Sequence, residues 1–129
     1  MEACEASGRV FLVDAYPPGS LIITEGTYID HPGANPSLHW NVYLATWVMV
    51  YGGWDGKVYI TSSLATNLTD WAAPRVLVES DQAGRAWYPT IVGARGDVVA
   101  GKNSLLYYSD MAMDFSVRKF YRASLQLER

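Results

Sequence analysis

Along the chain, short apolar runs rich in β-branched and aromatic residues alternate with clusters of Gly, Pro, Asn and Asp, and no stretch keeps the spacing of a long amphipathic helix. This pattern predicts strands at residues 9–13, 21–28, 39–43, 47–51, 58–62, 75–79, 88–92, 105–109 and 119–126. Turn chemistry marks the joints: Pro17-Pro18-Gly19, His31-Pro32-Gly33, Gly52-Gly53 with Asp55-Gly56, and Gly101 with Asn103. The clearest unit is a hairpin in which Trp47-Val48-Met49-Val50-Tyr51 meets Val58-Tyr59-Ile60 across a loop rich in glycine and aspartate. By hydropathy alone the segment 38–51 fits a buried helix as easily as two buried strands. Its Val42, Tyr43, Thr46, Trp47, Val48, Val50 and Tyr51 are β-branched or aromatic and disfavour that form, so two strands with a tight turn near Ala45 are expected.

A weak internal repeat relates residues 39–79 to residues 87–127, at a spacing close to one blade of a propeller. The first repeat supplies four predicted strands and the second three. The expected fold is therefore all-β: a partial β-propeller of about two antiparallel blades plus extra N-terminal strands. Residues 1–8 read as a flexible leader and 9–129 as a single domain.

Composition narrows the function classes. Half of the 129 residues are apolar, enough for one buried core. Lys and Arg total 10 against 13 for Asp and Glu, with no block of like charge, which argues against a nucleic-acid partner. The longest apolar run is too short to span a bilayer, and Met1-Glu2-Ala3-Cys4-Glu5 lacks a basic start, so no membrane partner is expected and the cytoplasm is the default location. Cys4 stands alone and cannot form an internal disulfide. With two histidines, one of them His31 in a His-Pro-Gly turn, neither a metal site nor a cofactor is expected.

Five Trp and nine Tyr against three Phe favour rings with a polar edge, suited either to sheet packing or to stacking on a sugar. His39-Trp40-Asn41 and Trp87-Tyr88 open the two repeats, and Arg85 adds a charged donor. His39, Trp40, Asn41, Arg85, Trp87 and Tyr88 are thus the candidate ligand-binding set, for an oligosaccharide. Glycoside hydrolysis uses two carboxyl groups facing across the scissile bond. Glu25, at the end of an apolar strand, and Asp97, in the Gly96-Asp97 loop, are the candidates, while Asp55 reads as a turn residue.

Several segments together resemble a known family. They are His39-Trp40-Asn41 with Tyr43-Leu44 and Trp47-Val48-Met49, Ser62-Ser63-Leu64 leading to Leu68-Thr69-Asp70-Trp71 with Pro74, Trp87-Tyr88-Pro89-Thr90-Ile91-Val92-Gly93, Gly96-Asp97, Gly101 and Leu106-Tyr107-Tyr108. In order and spacing they resemble the later blades of the five-bladed β-propeller glycoside hydrolases of the arabinanase, xylosidase and levansucrase type. The resemblance implies that the first strand of each blade lines a central channel and that carbohydrate is the ligand class. It also implies three essential carboxylates on earlier blades, which have no counterpart here. A carbohydrate-related, non-catalytic domain derived from a glycoside hydrolase is the leading expectation. Two alternatives stay open: a homo-oligomer, joined through exposed blade edges, that brings Glu25 or Asp97 of one copy toward His39 of another, and a purely structural or protein-interaction module.

Overall fold

The structure is a computed structural model that describes the backbone of Glu2–Cys4 and Phe11–Val13 and all of residues 33–129. The chain divides into two units, Met1–Asp30 and His31–Arg129. In the first, β1 (Glu2–Cys4) pairs antiparallel with β2 (Phe11–Val13), Glu2 opposite Val13. Glu2–Cys4, inside the stretch expected as a leader, is thus a strand. The expected strand at 21–28, with Glu25, lies outside the described residues.

The second unit holds two antiparallel sheets. One runs in chain order through β3 (Gly33–Asn41), β4 (Thr46–Gly53), β5 (Val58–Ser62) and β6 (Arg75–Val78), and the other through β7 (Arg85–Gly93), β8 (Asn103–Met111) and β9 (Arg118–Gln126). The division into four and three strands is the one the repeat predicts. No helix occurs among the described residues, so none there is long and apolar enough to cross a membrane.

Local chemistry explains the joints. Between β4 and β5 the chain turns through Gly56, whose φ of 83° a side chain would resist, and the Gly56 N–H donates to the Gly53 carbonyl at 3.0 Å. The β3–β4 joint corrects the expected strand at 39–43: β3 starts at Gly33 and ends at Asn41, and residues 42–45 turn. Ala45 and Thr46 are poor turn formers, and the turn is made instead by Asn41, whose Oδ1 accepts from the backbone N–H of Tyr43 (3.1 Å) and Leu44 (3.0 Å). The third irregularity lies in β7, where Tyr88 has a φ of 54° and the register to β8 shifts between Trp87 and Thr90. Pro89 has no N–H to give a ladder, and the bulge takes it out of the pairing.

The core lies between the sheets. Val48, Val50 and Val58 from the first and Ala86, Ile91, Leu106, Tyr108 and Leu125 from the second are each at most 9% exposed. Removing such Val, Ile or Leu side chains from water stabilises the fold by about 2 kcal/mol each. Strand β7 lies against β3 and β4. Near its start, Trp87 meets Gly52 at the end of β4. Beyond its end, Ala100 bridges Asn41 and its carbonyl accepts from the Val42 N–H at 3.0 Å.

Candidate functional site

The start of β7 gathers an aromatic cluster. The guanidinium carbon of Arg85 sits 5.0 Å from the centre of the Trp87 ring. Trp54, from the β4–β5 loop, meets Trp87 edge-on with centroids 6.2 Å apart and planes at 70°, and Tyr88 tilts against it at 5.6 Å. The ring of Trp87 fits over bare backbone, because a Cβ at Gly52 would stand 1.6 Å from its Cδ1. Trp54 and Tyr88 are more than half exposed, whereas the Trp87 indole N–H is buried and finds no acceptor. Chemically, the cluster offers exposed ring faces and a stacked cation, a combination suited to a ligand with apolar faces and hydroxyl groups.

The other half of the expected set lies elsewhere. His39 pairs with Val48, four positions along β4 from Gly52, a separation of roughly 13 Å at strand rise. His39 is half-buried, and burial holds its imidazole below the usual histidine range. Its Nε2 lies 3.3 Å from Asn41 Nδ2. Asn41 is fully buried, with Oδ1 closing the turn and Nδ2 donating to the Gly101 carbonyl at 3.1 Å, so its amide is spent on holding the β3–β4 turn against the second sheet. Trp40 is 41% exposed and meets Trp47 edge-on at 5.5 Å. The structure thus brings Arg85, Trp87 and Tyr88 together and sets His39, Trp40 and Asn41 apart from them.

The carboxylates are engaged in loops. Asp97 Oδ1 accepts from Val99 N–H at 3.2 Å, and its carbonyl accepts from Gly93 N–H at 2.8 Å. Asp55 accepts from the Tyr59 hydroxyl and from Lys57 N–H at 3.1 Å, and Glu79 pairs with Lys57 at 3.4 Å. Glu25 lies outside the described residues. Among the described residues no three His, Cys, Asp or Glu side chains gather as a metal site.

Sequence reasoning missed two residues. Trp54 reads as part of a glycine-rich turn, and the available signal was the pair Gly52-Gly53 just before it, small residues that leave room for rings. Asp110 is 1% exposed, and its carboxylate accepts from the Ser80 hydroxyl and from Asp81 N–H at 2.8 Å, while Gln82 Nε2 donates to its carbonyl at 3.1 Å. It anchors the segment joining the sheets, and nothing in Ser109-Asp110-Met111 announces burial.

No family model, curated protein or solved structure matches the chain. What the structure defines is a class: an all-β domain with antiparallel sheets of four and three strands.

Proposed function

We propose that this is a propeller-like domain of glycoside-hydrolase descent that binds carbohydrate and is not catalytic as a single chain. The observation that carries the reading is the Trp87 cluster: exposed Trp54 and Tyr88 rings flank a tryptophan that stacks with Arg85. Stacked rings take the C–H faces of a pyranose or furanose, and Arg85 supplies hydrogen bonds to hydroxyls. The non-catalytic half rests on the acids: Asp55 and Asp97 are engaged by the backbone of their own loops, and the buried Asp110 holds the segment at Ser80 and Asp81.

Titrating the chain with arabinan, xylan and fructan oligosaccharides tests this through tryptophan emission. Saturable change that is lost in Trp54→Ala supports the reading. Silence across all three series, or change that persists in Trp54→Ala, overturns it.

A further inference from the structure

Among the described residues the second sheet ends on β9, whose outer edge no other strand takes. Strand β9 pairs with β8 through nine consecutive positions without a bulge, and among the described residues nothing pairs with its outer edge. The first sheet has a fourth strand, β6, and the second has three among the described residues. Between β5 and β6 on one side and the end of β9 on the other lies a cleft of about 660 Å³, lined by apolar side chains that include Leu44, Ile60, Pro74, Leu77, Leu125 and Leu127.

The chemistry of the edge selects its occupant. Strand β9 carries Arg118, Lys119 and Arg122, all exposed, and no acidic residue. In two registers a second copy of β9 meets like charge: antiparallel pairing centred on Phe120 sets Arg118 against Arg122, and pairing centred on Arg122 sets it against itself. One face of β9 contributes Tyr121, Ala123 and Leu125 to the core, while on the other Phe120 is 72% exposed and stacks on Tyr107 at 5.9 Å.

We propose that the edge of β9 binds an extended segment of another protein in which apolar and acidic residues alternate. The incoming backbone pairs with the outer-edge N–H and C=O groups of β9, which no described strand takes. One set of its side chains enters the cleft against Ile60, Leu77 and Leu127, and the other lays carboxylates beside Arg118 and Arg122. Main-chain pairing supplies affinity, and the alternation of charge and apolarity supplies selectivity. The site is separate from the Trp87 cluster and does not depend on carbohydrate binding.

The test uses a short fluorescein-labelled peptide alternating valine and glutamate, with the full chain, read by fluorescence anisotropy. Saturable binding is expected, weakened at least about tenfold by Arg118→Glu combined with Arg122→Glu and falling with added salt. Leu127→Ser, which keeps the edge charges, should also weaken it, and circular dichroism confirms that each variant is folded. Equal binding of a valine–lysine peptide, or no binding of either, overturns the proposal. So does capture of the chain by phosphatidylserine vesicles that compete with the peptide and are lost to the same charge reversal, because the patch would then be a lipid surface.

Discussion

The Trp87 ring occupies the space a side chain at position 52 would need: a Cβ there would lie 1.6 Å from Cδ1 and 2.1 Å from Nε1. Because this contact joins the two sheets, Gly52→Ala must push the indole or the strand aside. The substitution should cost about 2 kcal/mol or more in denaturant unfolding. Adding Trp87→Phe should recover part of that loss, a non-additivity that locates the clash at this pair.

Asp110 secures the segment between the sheets. Asp110→Ala leaves the Ser80 hydroxyl and Asp81 N–H without their acceptor in a buried place and should destabilise the domain by about 3 kcal/mol. Asp110→Asn keeps one acceptor oxygen and should cost less. Chemical denaturation of the two variants checks the order.

The Asp55 carboxylate holds the Tyr59 hydroxyl, and this hydrogen bond, with smaller contributions from burial and nearby charge, pushes its pKa up to about 12. The unfolded chain releases this proton near 10, the folded one later. The stabilisation is therefore complete below pH 10 and lost as pH rises through about 12. Absorbance at 295 nm should show one fewer late-titrating tyrosine in Asp55→Asn than in the parent.

His39 works in the opposite direction. Burial lowers its pKa, so the folded chain binds a proton less readily than the unfolded one. The associated stability is present above pH 6.5 and declines as pH falls through the depressed value. Protonation also removes Nε2 as an acceptor for the Asn41 amide. His39→Gln should flatten the acid limb of a stability-versus-pH curve, and proton NMR of the His39 ring should titrate below the ordinary histidine range.

Much of the strand layout was legible. The strand at 58–62 appears with the same bounds, because its alternation and the glycine loop before it leave one register, and the repeat foretold four strands and then three. Ends were less readable: β3 extends back to Gly33 through Pro36, residues that look like loop, and Asn41 closes a turn whose own residues carry no turn signal. The candidate site was half legible. Arg85, Trp87 and Tyr88 share a strand and stay together, but the equivalence of His39 and Trp87 as strand openers hid the fact that β3 begins six residues before His39. That offset carries His39 away from the cluster and puts Trp54, from a loop, in its place.

A carbohydrate site at Trp87 should be visible in the five indole N–H signals of the ¹⁵N-labelled chain. On saturation with the oligosaccharide that changes tryptophan emission, the Trp54 and Trp87 resonances should shift, while Trp40, Trp47 and Trp71 stay in place. Shifts confined to Trp40 and Trp47, or no shift at any indole, would contradict the claim.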